Sequence, residues 1–196
     1  MIKLEKLQEV MSTCKACDLC KTRKTVVFGE GSYTPRLMLL GEAPGEQEDE
    51  NGRPFVGAAG QKLDKILAFI GVSRSDVYIT NAILCKPPNN RVPRQEELEA
   101  CRWRLDLQIQ LLKPKLIVAL GKTALQQLSG ATTKGNLNTH FGAWKTYKSG
   151  DHEAKVMVTY HPSYHLRSPE HAYKVSLPHW TKLKDWIKNE KLATAD

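Results

Sequence analysis

The chain has 196 residues, 29 Lys and Arg against 21 Asp and Glu, a formal charge of +8 and five cysteines. That length suits one domain, residues 1–196, whose core needs no staple, and 26% charged with 41% hydrophobic residues excludes a disordered or membrane-spanning chain. MIKLEKLQEV has no apolar h-region, so a soluble intracellular, cytoplasmic protein is expected, in a compartment that disfavours structural disulfides.

In chain order, Leu4, Leu7, Val10 and Met11 predict a short leading helix. CKACDLC then gathers Cys14, Cys17 and Cys20, interleaved with or followed by Lys15, Lys21, Arg23 and Lys24. Leu37–Leu40 reads as a buried strand, followed by Gly41-Glu42-Ala43-Pro44-Gly45 and the acidic run Glu46, Glu48, Asp49 and Glu50. Leu63, Ile66, Leu67 and Ile70 form a helical stripe closed by Gly71. A second strand, Val77–Thr80, ends at Asn81. The stripe Leu98, Cys101, Leu105, Ile109 and Leu112 opens after Pro93 with Glu96 and Glu97 in its first turn, as a helix start prefers. Leu116–Leu120 is a third strand, followed by Gly121-Lys122-Thr123. Lys134–Ser149 carries no clear period, and Val156–Tyr160 is a fourth strand followed by His161-Pro162-Ser163. Trp180, Leu183, Trp186 and Ile187 predict a closing helix.

Alternating strands and helices indicate parallel βαβ units in a layered α/β domain. Open parallel sheets bind ligands beyond the carboxyl ends of their strands, where a carboxylate, an amide and an imidazole fall here on one rim. GEAPG lacks the Gly-x-Gly-x-x-Gly of a dinucleotide fingerprint, and Leu116 occupies the first glycine position of a Walker A loop ending in Gly121-Lys122-Thr123. The zinc deaminase pattern fails because Cys14 follows Thr13, and no H-E-x-x-H is present.

Asn81 can donate and accept at once, which suits a nucleobase edge. Phe55, flanked by small residues, offers a face to a flat ligand, and Pro162 biases His161 toward an extended backbone. Each has an ordinary alternative: a loop cap, a core ring, a surface histidine. Cys14 and Cys17 form a C-x-x-C, and Cys85 and Cys101 can add two thiolates; such a set suits an iron–sulfur cluster or tetrahedral zinc, and spacing does not separate them. A metal there would hold the basic loop against phosphates, and Leu166 and Arg167 could enter a duplex to fill the space of a flipped base.

The ordered set C-x-x-C, VVFGEG, GEAPGEQEDENGRPFVGAAG, VYITNAILCKPP, Cys101 and HPSYHLR resembles the family 4 uracil-DNA glycosylases, from about Cys14 to Arg167. The resemblance implies a three-layer αβα domain with a central, mainly parallel four-stranded sheet, and a DNA repair enzyme that hydrolyses the N-glycosidic bond of uracil, leaving an abasic site. It implies a 4Fe–4S cluster on Cys14, Cys17, Cys85 and Cys101, with Cys20 left over and the cluster structural. Within that frame Phe55 stacks on the base, Asn81 reads its edge, His161 stabilises the departing uracil, and a backbone N–H near Ala43 serves the same pocket. Glu42 is the favoured catalytic carboxylate and Asp49 a secondary water-orienting candidate. Leu166 and Arg167 form the wedge, with His165 where the family usually has Leu. A uracil-trapping relative carries a histidine between its third and fourth cysteines; residues 86–100 contain none here, so turnover is expected. The expected partner is uracil-containing DNA, bound by a monomer. A non-catalytic DNA-binding module and a glycosylase for another deaminated base are the competing readings.

Overall fold

The computed structural model describes residues 3–129 and 140–190. The strands are β1 (Glu30–Gly31), β2 (Leu37–Gly41), β3 (Val77–Asn81), β4 (Leu116–Leu120), β5 (Trp144–Ser149) and β6 (His152–Thr159). They form a six-stranded sheet in the order β1-β3-β2-β4-β6-β5. The helices are α1 (Leu4–Ser12), α2 (Glu46–Asn51), α3 (Ala58–Ile70), α4 (Gln95–Leu112), α5 (Lys122–Ser129), α6 (Tyr164–Arg167) and α7 (Pro169–Asn189).

The four expected strands are the parallel centre, β3-β2-β4-β6. The four-strand expectation needs correction: two edge strands, β1 on β3 and β5 on β6, pair antiparallel, so the sheet is mixed. Neither edge carries the apolar run that marks a strand buried on both faces. β1 has only two residues, and β5 (WKTYKS) alternates exposed and sheltered positions. Lys134–Ser149, which showed no period, contributes β5 at its end, while 134–139 lie outside the described residues.

The sheet's two faces follow the strand period of two. Leu37, Leu39, Val77, Ile79, Leu116 and Val118 face Leu63, Leu67 and Ile70 of α3 and Trp180, Leu183 and Ile187 of α7. Met38, Leu40, Tyr78, Ile117, Val156 and Val158 face the layer of α1, α4 and α5. Helices on both faces make three layers. Burying each such Leu or Ile contributes about 1.5–3 kcal/mol, which is why the two apolar stripes, rather than helix propensity, hold α3 and α4 in place. Val10, assigned to the leading stripe, is 52% exposed; Leu4, Leu7 and Met11 suffice to seat α1. No described helix is long and apolar enough to cross a membrane.

The chain leaves β2 toward β3 on one side and β4 toward β6 on the other, so the strand order reverses between β2 and β4. A crevice therefore opens at their carboxyl ends.

Candidate active site and cysteine corner

A cavity of about 550 Å³ fills that crevice, lined by Glu42 and Ala43 after β2, Asn81 at the end of β3, Gly121 after β4, and His161 after β6, with Phe55 against its wall. The β2–β3 ladder continues past the strands through Ala82 N–H to Gly41 O at 2.9 Å and Ile83 N–H to Glu42 O at 3.3 Å. Glu42 and Asn81 are thereby locked side by side.

Asn81 is 1% exposed, and its Oδ1 has no hydrogen-bond partner among the described residues. Leaving a buried acceptor unmet costs about 1–3 kcal/mol, a cost that a ligand N–H would remove. Gly41 makes this arrangement possible: a Cβ there would lie 2.2 Å from Asn81 Oδ1 and 2.6 Å from Phe55 Cζ.

Phe55 is held at φ 53°, an uncommon conformation for a side-chain-bearing residue, so its surroundings must fix it. Arg74 donates to the carbonyls of Phe55 and, at 3.2 Å, Pro54. A Cβ on Gly60 would collide with Phe55 O, so only glycine lets α3 approach this closely. From the other side, Glu48 Oε1 accepts the N–H groups of Val56 (2.9 Å) and Gly57 (2.8 Å), while its Oε2 accepts that of Gly45 (3.1 Å). One carboxylate thus ties the GEAPG turn to the Phe55 turn.

Glu42 lines the cavity, and the Thr123 hydroxyl donates to its Oε2 across the β2–β4 crevice. Asp49 is placed elsewhere. It is 2% exposed, outside the cavity lining, and its carboxylate accepts the backbone N–H groups of Lys24 (3.0 Å) and Thr25 (3.2 Å). Its carboxylate anchors the 24–25 segment and is spent there, so the secondary water-orienting role assigned to it has no geometric basis.

His161 shows which tautomer it holds. The Ser163 backbone N–H donates to Nδ1 at 3.2 Å, so Nδ1 is an acceptor and the ring proton resides on Nε2. Burial, and secondarily the positive charge of Arg167, pushes the His161 pKa down to about 4, leaving the ring neutral at pH 7. Ser163 Oγ lies 2.9 Å from Nδ1 and accepts from Arg167 at 3.5 Å, so Arg167 braces the histidine through one hydroxyl. The His161 and Phe55 ring centroids are 5.5 Å apart, close enough for one planar ligand to meet both. Beyond them Leu166 is 44% exposed and Arg167 is exposed, whereas His165 turns inward to Ser176 Oγ at 3.0 Å.

Four of the cysteines gather outside the cavity lining. Cys85 and Cys101 are buried, Cys14 and Cys17 half-buried. Cys17 lies within electrostatic reach of Cys14 and Cys101, and Cys85 within reach of Cys17 and Cys101. Cys20 is half-buried on the rim of a separate surface cavity of about 360 Å³ that Cys17 also lines. Burial raises the Cys17 thiol, and pushes Cys85 up to about 11 against the lowering influence of Arg23. Arg23 donates to Cys85 Sγ at 3.3 Å and to Cys14 O at 2.7 Å, clamping two of the cysteines. That corrects its reading as a phosphate contact. Lys21 and Lys24 are likewise paired, with Asp18 and with Glu46 and Glu50.

Thiols raised by burial become ligands only when a metal replaces their protons. Among the described residues no three His, Cys, Asp or Glu side chains converge tightly enough for a single metal ion. Arg23 donates to the Cys85 sulfur and the fully buried Arg104 lies within electrostatic reach of Cys101 and Cys85, so the donor set suits an anionic guest.

Glu48, Arg74, Thr123, Ser163 and Arg104 are the supporting residues that the sequence reading did not assign. Two left a trace. Arg104 and Gln108 fall on the apolar face of Cys101, Leu105 and Ile109, where a polar residue needs a reason. Glu48 stands three residues after Gly45, the reach of a capping carboxylate.

A profile of the uracil DNA glycosylase superfamily matches residues 28–186. A type-4 uracil-DNA glycosylase of Pyrobaculum aerophilum is 46% identical, over 85% of this chain and 86% of its own length. One from Thermotoga maritima is 41% identical over 95% and 97%. A type-5 uracil-DNA glycosylase of Pyrobaculum aerophilum is 34% identical over 68% and 63%.

Proposed function

The chain belongs to the type-4 branch of the uracil-DNA glycosylase superfamily, and from that premise we propose a mechanism by which it removes uracil from DNA and leaves an abasic site. The observation that carries the site assignment is the buried, unpartnered Oδ1 of Asn81 at the floor of the crevice. Uracil flipped from the helix meets it with N3–H, while O4 accepts from the Asn81 amide. Cytosine presents the reverse pattern and leaves both partners unpaired, the kind of mismatch that discriminates by ~10⁴ or more. Phe55, fixed by Arg74, Gly60 and Glu48, gives the base its stacking surface.

As the glycosidic bond breaks, negative charge grows on uracil O2. A neutral His161 donating from Nε2 stabilises that charge without first being deprotonated, and one such aimed donor is worth about 3–4 kcal/mol. Glu42, steadied by Thr123, orients the water that attacks the sugar carbon and favours its oxocarbenium character. The Ala43 turn borders the same space. Leu166 and Arg167, exposed beside the cavity mouth, serve as the wedge that replaces the flipped nucleotide.

Cys14, Cys17, Cys85 and Cys101 would hold a 4Fe–4S cluster, supplying a rigid anionic tie between the N-terminal loop, the β3 exit and α4. The chain is read as one domain, acting as a monomer on DNA. Base release from oligonucleotides carrying uracil, hypoxanthine, mismatched thymine or cytosine tests the reading. Free uracil alone is the expected product; its absence, with DNA still bound, would sustain the non-catalytic alternative, and a protein–DNA species surviving denaturation would overturn turnover. Release should fall steeply with salt if phosphate contacts supply the binding.

A further inference from the structure

Arg104 is fully buried on α4, one turn beyond Cys101, and among the described residues its guanidinium meets no carboxylate. Nη1 and Nη2 donate to Asn81 O at 3.2 and 3.1 Å, Nη2 to Ala82 O at 2.8 Å, and Nη1 to Gln108 Oε1 at 2.8 Å. Gln108 in turn donates to Phe28 O and Tyr78 Oη, so the fork is itself held on two sides. Among the described residues Nε has no hydrogen-bond partner, and the side chains of Cys101, Tyr78 and Cys85 lie within electrostatic reach of the same guanidinium. A buried cation without an anion is strongly unfavourable. Thiolates bound to a metal cluster would relieve it.

We propose that Arg104 is a positioning residue coupling the cysteine corner to the uracil pocket. Its charge is balanced by the thiolates when the cluster is bound, and its fork holds the Asn81–Ala82 backbone that aims the base-reading amide. The inference rests on the function proposed above and adds a physical link between cluster and base recognition: each side of one guanidinium depends on the other. The charge and the fork are separable. Lysine keeps the charge but cannot span two carbonyls and Gln108, whereas methionine removes both.

The experiment compares wild type, Arg104→Lys and Arg104→Met for iron content, visible absorbance, free-uracil affinity by calorimetry, and KM against kcat for uracil release. Arg104→Lys should keep its iron yet bind uracil about tenfold to a hundredfold more weakly, the size of one or two charge-assisted hydrogen bonds, with KM moved more than kcat. Arg104→Met should lose iron as well. Arg104→Met with wild-type iron would overturn the charge balance, and Arg104→Lys with wild-type uracil affinity would overturn the positioning. Should Arg104→Met fail to fold, iron removal from wild type supplies the test: stripped protein of unchanged far-UV circular dichroism should bind free uracil at least several-fold more weakly, and equal binding would overturn the coupling. Wild type that releases no uracil, or holds no iron, is a failure of the parent reading and shows before any variant is made; missing iron also removes the charge half of this one.

Discussion

The crevice and the cysteine corner flank the same residue, Asn81, and both are electrically incomplete, but in different ways. The crevice is short of one neutral hydrogen bond: its walls are finished by Glu48, Arg74 and Thr123, leaving Asn81 Oδ1 to a ligand. The corner is short of charge, because Arg23 and Arg104 both lie within electrostatic reach of Cys85, whose thiol burial keeps protonated. A missing neutral hydrogen bond costs little enough for the pocket to stand preformed. Missing charge costs far more, so on the proposed cluster reading the corner would depend on its guest for stability.

The largest effect expected lies in the crevice. His161→Ala and Asn81→Ala should each lower uracil release about 10²–10³-fold, the range for loss of one preorganised donor, with DNA binding retained. Parallel loss of binding and release would mean that these residues hold the fold instead. Next, Cys85→Ser should strip most of the iron and lower the urea midpoint, while Cys20→Ser should change neither. A stable, iron-free Cys85→Ser protein would break the contrast by showing that the corner needs no guest.

Glu48→Ala leaves three N–H donors of the pocket turns without their carboxylate, which should lower stability by about 1–3 kcal/mol and raise KM more than it lowers kcat. An unchanged KM would show that Arg74 and Gly60 fix Phe55 unaided. The smallest effect concerns pH. His161 is neutral in the folded chain down to about 4, while the unfolded chain takes up its proton near 6.5. Its contribution is therefore constant above 6.5, and the folded state loses stability as pH falls from 6.5 toward 4, by on the order of 1 kcal/mol at pH 5. His161→Asn should lose less stability than wild type between pH 7 and 5 in urea unfolding, with His165 and His179, also lowered by burial, contributing to both. Equal losses would mean that the His161 ring is hydrated.

The strand ends were legible because a parallel sheet buried on both faces must be written as apolar runs, and whatever follows each run must sit on one rim. That is how Glu42, Asn81 and His161 are found without coordinates. Edge strands escape the same logic: β5 alternates and β1 is too short to show a period. The acidic run after β2 looked like one feature but divides by direction. Glu48 faces the pocket turns, Asp49 the 24–25 backbone, and Glu46 and Glu50 the lysines. Which way each points depends on the helical turn of α2, about 100° per residue, which composition does not contain.

The net charge of +8 divides in the same way, since several of its cations are engaged inside the molecule. Arg23 clamps cysteines, Arg74 clamps the Phe55 turn, and Arg104 carries the backbone of Asn81. By itself the sequence determined the parallel sheet, the rim and the residues that gather there, because burial and strand period are local properties of the chain. Only the tertiary structure decided which cation meets a thiol, which carboxylate meets an N–H, and which acceptor is left open for a base. Arg23–Cys85, Asp49–Lys24 and Arg104–Ala82 join residues 62, 25 and 22 positions apart, and distance in sequence carries no direction in space.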